Sequence, residues 1–507
     1  MAYISIDQAI GPLVAALDVG TSSVRVTLFD ARGRAVQPVE ARVRYKMKVE
    51  AGAVEIDADR LLRIICRSFD LAESQIDGLS RDGRRVEIEA VAISTFWHGL
   101  VGVNGAGQAV TPLYSWNDTR AAAEADQLRD QIDEDELHRR TGCRLHPSYW
   151  PAKLAWLRAR ASVAFHQSKR WMSIGEYLYL KLFRRPVVSV SMASATGLFN
   201  QNRCFWDTEI ISHLGIDSDQ LSPLAEPGEA VNGLQSAYAR RWPAMAGARW
   251  FAALGDGASD NIGAGAITRD RAALMIGTSG ALRSMWKAES VRVPQGLWCY
   301  RADRERFLMG GALSNGGDLY EWMMKRLRLP TAEKTEAALR AMEPDAHGLT
   351  ILPFFSGERS TNWRADARAA IAGMGLDTTG LEILRAAMEA VAFRFAAIYD
   401  LLVEELSEPQ EIIGSGRAML RSPAWAQIIT DVIGKPILVS SEAESASRGA
   451  ALASLEQLGA LLVLEDAEMS TGPVYLPDAR RHARYRGARE RHNLLYEKLI
   501  GRRIYEH

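Results

Sequence analysis

Leu17-Asp18-Val19-Gly20-Thr21-Ser22-Ser23-Val24-Arg25-Val26-Thr27-Leu28-Phe29-Asp30 closes one apolar run and opens another. Apolar residues lead from Leu13 to Leu17, an aspartate follows, and alternation resumes at Val24, Val26 and Leu28. The pattern predicts strand, tight turn, strand, with small polar residues at the tip. Such a tip lets backbone N–H groups and hydroxyls approach phosphate oxygens, because no bulky side chain intervenes. Asp18 at the strand end suits a magnesium ion, the hard cation that accompanies nucleotide phosphates. Taken alone, the stretch is equally an ordinary Gly-Thr-Ser turn with a surface aspartate.

About half the chain later, Ala273-Leu274-Met275-Ile276-Gly277-Thr278-Ser279-Gly280-Ala281-Leu282-Arg283 repeats the same grammar. A duplicated phosphate hairpin at that spacing predicts two similar domains facing one nucleotide. Met275 stands where the first copy has Asp18, so only the first half can hold a metal there.

A chain of 507 residues is too long for one core and predicts two large domains. Its 47% hydrophobic and 24% charged residues are those of a globular protein. A net charge of −1 without long basic blocks points to neither nucleic acid nor a membrane surface as partner. Basic clusters such as Arg480-Arg481-His482-Ala483-Arg484 read as solvated faces. Cys66, Cys143, Cys204 and Cys299 lack Cys-x-x-Cys spacing, which argues against a disulfide framework or structural zinc. With no leader-like N-terminus and no long apolar run, a cytoplasmic location is expected.

Further along, Val39 to Val43 reads as a third strand and Asp57 as the cap of a helix with Leu61, Leu62, Ile65, Phe69 and Leu71 inward. Val86 to Ser94 reads as the next strand. Three antiparallel strands, a helix and a strand form the opening order of the ribonuclease-H-like, actin-like ATPase domain. Beyond it lie Trp97 and His98, then Trp116-Asn117-Asp118-Thr119-Arg120. Aromatics interleaved with polar groups suit a polyol, rings against C–H faces and polar groups on hydroxyls, although core packing is the plain alternative for each Trp. Thr141 to Pro151, with Arg144 and His146, reads as a loop able to meet a ligand, and 222–248 as connecting structure.

Leu254-Gly255-Asp256-Gly257 leads a strand into a helix peppered with small residues. Glycine costs helix stability, so close backbone approach to a neighbour is its expected return. Asp256 is a helix cap or, at the domain junction, a candidate general base. In the second half, Gly310 to Gly317 precedes a helix from Leu319, and 380–405 forms a long helix. Glu411 to Gly416 reads as a strand entering a glycine turn. Ser422-Pro423 opens the helix Ala424–Ile433, closed by Gly434. Neither a dinucleotide-binding glycine motif nor a Walker A pattern is complete.

On these residues the chain resembles the FGGY carbohydrate kinases from about Leu13 to Leu458. Ala369-Ala370-Ile371-Ala372-Gly373-Met374 through Glu382-Ile383-Leu384-Arg385-Ala386-Ala387-Met388-Glu389 fits the family's C-terminal signature. Lys153 to Trp156 keeps the Lys-x-x-Trp core of the N-terminal one, with Trp150 where a small residue is usual.

The resemblance implies an α/β fold of two ribonuclease-H-like domains around a central cleft, residues 1–252 for the sugar and 253–507 for ATP. It further implies Asp18 as the Mg2+-associated carboxylate and Asp256 as catalytic base. Gly20, Thr21, Ser22, Gly277, Thr278, Ser279, Asn315, Gly414, Ser415 and Gly416 become ATP-binding positions, although three glycines are more usual at the last turn. Trp97, His98, Trp116, Asp118, Arg120 and Arg144 become sugar-side positions. Ser94-Thr95-Phe96-Trp97-His98, Leu313 to Gly317 and Gly357-Glu358-Arg359-Ser360 look most like the gluconate-kinase branch. Gluconate's carboxylate would meet a cation: Arg144 and His98 first, with His146 and Arg359 also in reach. A ketopentose kinase is the alternative, and from another class an actin-like chaperone or sugar sensor. The oligomeric state is left open, a homodimer included.

Overall fold

The computed structural model describes residues 3–80, 86–406, 409–442, 444–469 and 472–501. In the first half, β1 (Val14–Val19), β2 (Ser23–Phe29) and β3 (Ala35–Arg44) form an antiparallel meander. Helix α1 (Ala58–Asp77) follows, capped by Asp57, whose carboxylate accepts the Arg60 N–H at 2.6 Å. Its Leu61, Ile65 and Phe69 are fully buried, each contributing about 1.5–3 kcal/mol. Leu71 is exposed, because it falls out of phase with that i, i+4 stripe. Strand β4 (Ala90–Thr95) begins four residues later than the apolar run suggests.

Helices α2 (Glu134–Thr141), α3 (Trp150–Arg160) and the short α4 (Val190–Ser194) belong to an insertion between β4 and the strands β5 (Arg249–Phe251) and β6 (Leu254–Gly255). The chain then enters α5 (Asp256–Ala264), β7 (Arg271–Ile276), β8 (Gly280–Lys287), β9 (Trp298–Arg301) and β10 (Arg306–Leu313). Next come α6 (Gly317–Arg326), α7 (Gly380–Glu405), β11 (Glu411–Ser415), α8 (Pro423–Ile433), β12 (Ile437–Val439), α9 (Ser445–Leu458) and α10 (Ala479–Leu499).

The two sheets repeat one topology. The first runs β3-β2-β1-β4-β5, with β4 parallel to β1 and β5. The second runs β9-β10-β8-β7-β11-β12, with β11 parallel to β7 and β12. Edge strand β9 pairs antiparallel with β10, where the first sheet carries only the two-residue parallel strand Tyr3–Ile4 beside β3, and it meets the first half. There the Cys299 N–H donates to the Gly142 carbonyl at 3.0 Å, and the Tyr149 and Tyr300 hydroxyls lie 2.6 Å apart.

Two helices join the halves. α5 leaves the first sheet, and α9, although it follows β12, packs on β1 and β4 and contributes Ala450, Leu452 and Leu455 to the first core. They cross where both are glycine. A Cβ on Gly263 would stand 1.8 Å from the Ser445 carbonyl, and one on Gly449 1.7 Å from that of Ser259. Buried Arg448 fastens the crossing by donating to the Gly33 carbonyl at 3.1 Å and the Gly263 carbonyl at 2.7 Å. The sheets therefore divide between Gly255 and Arg271, while α9 returns from the second half to cover the first. A single cut at 252/253 separates α9 from the sheet on which it packs. Among the described residues no helix is long and apolar enough to cross a membrane.

Candidate active site between the two sheets

Parallel strands place the two key carboxylates. Asp18 lies opposite Ser94 in the β1–β4 register, and Ser94 lies opposite Leu254 in the β4–β6 register. Asp256 therefore emerges one residue beyond the end of β6, the usual ligand side of an open α/β sheet. Its Oδ1 accepts the Gly257 N–H at 2.8 Å, which leaves Oδ2 for a substrate. Burial pushes its pKa up to about 6, with Arg283 pulling the other way and Asp18 adding to the rise. Asp18 is raised as well, by burial against the pull of Arg25, whose guanidinium is 3.1 Å away.

The flanking glycines answer to Trp97. A Cβ on Gly255 would fall 1.8 Å from the indole nitrogen, and one on Gly257 2.4 Å from the ring. The indole N–H itself donates to the Ser191 carbonyl at 3.1 Å. Trp97 thus forms the floor on which the Asp256 turn rests. Arg283 closes the other flank, pairing with Asp260 at 2.5 Å.

Both hairpin tips have the predicted form. Gly20 N–H donates to Ser23 and Gly277 N–H to Ser279, each at 3.0 Å, and Thr21, Ser22 and Thr278 are exposed. The second tip is fixed to α6: Gly317 N–H donates to the Gly277 carbonyl at 2.9 Å, and Gly316 and Asp318 N–H to that of Thr278 at 3.1 Å. Asn315 ties this junction inward, its amide bonding Asp318 and Ser356. It holds the loop, and no amide atom is left uncommitted for phosphate. The Gly414-Ser415-Gly416 turn sits beside the same tip, since Ser415 pairs with Met275 in the β7–β11 register. Gly416 has φ of 92°, and a Cβ there would meet the Ile276 carbonyl at 2.4 Å. Only glycine combines that backbone with that approach.

The sugar-side positions separate into two groups. Trp97 and His98 lie together with groups the sequence reading passed over: Trp298 and Tyr300 from β9, stacked at 4.3 Å, and, through Tyr149, Trp363, while Trp116 meets Arg359. Trp298 and Tyr300 are buried and join the core of the first half rather than that of their own sheet, which nothing in the apolar run Trp298-Cys299-Tyr300 announces. His98 has φ of 64°, held by its Nδ1 at 2.6 Å from the Ala195 carbonyl and by Lys153 Nζ donating to its own carbonyl at 2.9 Å. Burial, reinforced by Arg359, pushes the His98 pKa well below its ordinary value, so the ring is neutral. Burial likewise pushes the Lys153 ammonium down to about 7.

Asp118, Arg120 and Arg144 are committed elsewhere. Asp118 accepts the Val54 N–H at 3.0 Å and pairs with Arg120 at 2.6 Å; Arg120 also pairs with Glu55 at 2.6 Å. They brace the loop that carries Trp116. Arg144 pairs with Asp135 at 2.6 Å and lines a cavity of about 470 Å³ with Trp363, Arg394 and Tyr496, whose walls include neither Asp256 nor Trp116. Salt bridges already occupy both guanidinium groups, a property that residue type does not reveal. His146 bonds Ser148 at 3.0 Å. Arg359, by contrast, lies over the Trp116 ring at 5.2 Å.

A carboxylate at the junction and two hydroxyl-bearing hairpins suit phosphoryl transfer to a hydroxyl. The N-terminal domain model of the FGGY family of carbohydrate kinases matches residues 13–263, and the C-terminal one residues 272–456. Among similar proteins, a gluconokinase of Bacillus subtilis (strain 168) is 24% identical over 471 residues, 90% of each chain. A xylulose kinase of Streptomyces rubiginosus is 28% identical over 484 residues, 92% of each. The crystal structure of gluconate kinase from Lactobacillus acidophilus superposes with a TM-score of 0.88 at 25% identity, covering 96% of this chain and 98% of that one. The chain belongs to the FGGY family of carbohydrate kinases and is an ATP-dependent sugar kinase.

Proposed function

We propose that this kinase phosphorylates gluconate, giving 6-phosphogluconate, with Asp256 as general base. The observation that carries the base assignment is Asp256 itself, partly exposed at the strand ends beside Asp18, with Oδ2 unengaged and a pKa raised to about 6. A carboxylate with that pKa is mostly ionised at neutral pH yet basic enough to take a proton. The hydroxyl proton passes to Asp256 Oδ2 as the oxygen attacks the γ-phosphorus and the bond to the β-phosphate oxygen breaks. Thr21, Ser22, Thr278 and Ser279 hold the phosphate oxygens, and the Gly414–Gly416 turn supports the nucleoside side. Trp97 and Trp116 pack the acceptor's C–H faces, and neutral His98 offers a ring nitrogen to a hydroxyl.

The donor set fits Mg2+. Asp18 and Asp256 are hard oxygen ligands, and the Asp18 charge raises the Asp256 pKa where a divalent ion would relieve the repulsion. Among the described residues, three potential ligand atoms converge within 4.8 Å only at Asp345, His347 and Glu389. An ion beside Asp18 would therefore lean on phosphate oxygens and water, as Mg2+ does. When bound, it supplies charge neutralisation on the phosphates.

Two gluconokinases among the similar sequences, and the structural likeness to a gluconate kinase, support gluconate as acceptor. A xylulose kinase at 28% identity supports the second reading, a ketopentose. ADP release measured over gluconate, xylulose, ribulose and glycerol tests the choice. Highest kcat/KM on gluconate is expected; turnover of xylulose with none of gluconate would refute the acceptor and leave the kinase standing.

A further inference from the structure

We infer that Arg359 is the specificity-determining residue that reads the anionic end of the acceptor, a sugar-acid carboxylate; this rests on the reading of the acceptor as gluconate. Arg359 comes from the second half, yet its guanidinium lies over Trp116 of the first, 5.2 Å from the ring centre. Its charge is felt by His98, Tyr149 and Tyr300, the polar members of the aromatic wall.

Neighbouring arginines are already engaged. Arg283 pairs with Asp260, Arg25 with Asp18 and Glu444, Arg120 with Asp118 and Glu55, Arg144 with Asp135 and Arg394 with Glu358. Arg359 makes no ion pair among the described residues, and its Nε is buried without a hydrogen-bond partner. A partly buried cation over an aromatic ring, with no ion-pair partner among the described residues, is costly unless an anion arrives.

The loop around it is built to aim that charge. Glu358 is held by Arg394 and, at 2.6 Å, by the Tyr496 hydroxyl. Ser360 exchanges two hydrogen bonds with Ala312, each 3.0 Å. Trp363 N–H returns to the Arg359 carbonyl at 2.6 Å. A guanidinium with both sequence neighbours fixed presents its fork to a carboxylate at little ordering cost.

The test compares the parent with Arg359→Gln and Arg359→Lys, measuring kcat and KM for gluconate, xylulose and ATP, with direct calorimetric binding of gluconate. Loss of a charge-assisted bond to a carboxylate should raise the gluconate KM and dissociation constant on the order of ten- to a hundredfold. The shift should exceed that for xylulose at least tenfold, kcat should fall less than KM rises, and Arg359→Lys should recover part of the loss. Equal losses on gluconate and xylulose would make Arg359 a positioning residue and overturn the inference. A rise confined to the ATP KM would assign its charge to the nucleotide phosphates and overturn it too. Unaltered gluconate kinetics in Arg359→Gln would refute the inference and spare the acceptor. A parent that neither binds nor turns over gluconate would refute both.

Discussion

Asp256→Asn separates chemistry from architecture at the centre of the site. The amide keeps the shape of the carboxylate, and its Oδ1 still accepts the Gly257 N–H, now 2.8 Å away. The Trp97 floor under Gly255 and Gly257 is untouched. What disappears is the basic oxygen, and general-base assistance is worth about 10²–10⁴ in rate. Turnover should therefore fall at least a hundredfold, about 2.7 kcal/mol of transition-state stabilisation. Gluconate and ATP binding, measured by calorimetry, should change by less than threefold.

Stability should move the other way. The parent's Asp256 has a pKa raised from 3.8 to about 6 by burial, so the folded state holds a proton that the unfolded state releases. That penalty on the charged form is fully present above pH 6 and absent below pH 4. A rise of this size corresponds to about 3 kcal/mol, and partial exposure to water reduces it to the order of 1–2 kcal/mol. Asp256→Asn should then melt higher than the parent at pH 7 and equal to it at pH 4. The parent's kcat/KM should fall about tenfold from pH 7 to pH 5, as ionised Asp256 drops from about nine-tenths to just under one-tenth. Near-normal turnover in Asp256→Asn, or a melting temperature lowered equally at both pH values, would refute this account.

Asp18→Ala should cut Mg2+-dependent turnover sharply, whereas Met275→Leu at the matching position of the second hairpin should cost under about 1.5 kcal/mol of stability and little activity; equal damage, read from Mg2+ titrations and melting curves, would end the one-metal reading. Gly449→Ala puts a methyl 1.7 Å from the Ser259 carbonyl and should destabilise by about 1–3 kcal/mol or more, checked by urea denaturation. Lys153→Met leaves the His98 and Ser148 carbonyls without the donor now at 2.9 and 2.7 Å, costing about 1–3 kcal/mol for each group left unpaired and raising the acceptor KM as His98 shifts. Arg144→Met should change the gluconate KM by less than threefold but lower the melting temperature, since the buried guanidinium pairs with Asp135 at 2.6 Å and faces buried Glu134 at 3.7 Å.

What the sequence makes legible is what backbone geometry dictates locally. A Gly-Thr-Ser between alternating apolar runs has few foldings other than a hairpin, so both tips, and with them the repeated topology, follow from short windows. Asp256 follows for the same reason: a strand entering Gly-Asp-Gly before a helix fixes where that carboxylate emerges. The glycines of α5 are legible only in part. Their small size announces a close neighbour, but that the neighbour is Gly449 of α9, far along the chain, is a fact of assembly. The role of edge strand β9 is hidden more deeply, because Trp298 and Tyr300 alternate as core residues do, and that they pack into the core of the first half is decided only when the second sheet meets the first.

Charge is the hardest property to read, and the two arginines show why. Arg144 stands in a loop among His, Tyr and Trp, and by composition looks the better ligand for an anion. Folding brings Asp135 to within 2.6 Å of it, from a helix a few residues upstream, and the charge is consumed. Arg359 follows Glu358 directly, and adjacency suggests a pair. Yet Glu358 turns to Arg394 and Tyr496 and leaves its neighbour unpaired by it. The acid beside Arg359 in sequence is thus neutralised by other partners in space. A cation's availability is a difference between its own charge and whatever the fold places against it. Residue type supplies the first quantity and says nothing of the second, which is decided in the fold, where among the described residues the guanidinium over Trp116 arrives with no carboxylate paired to it.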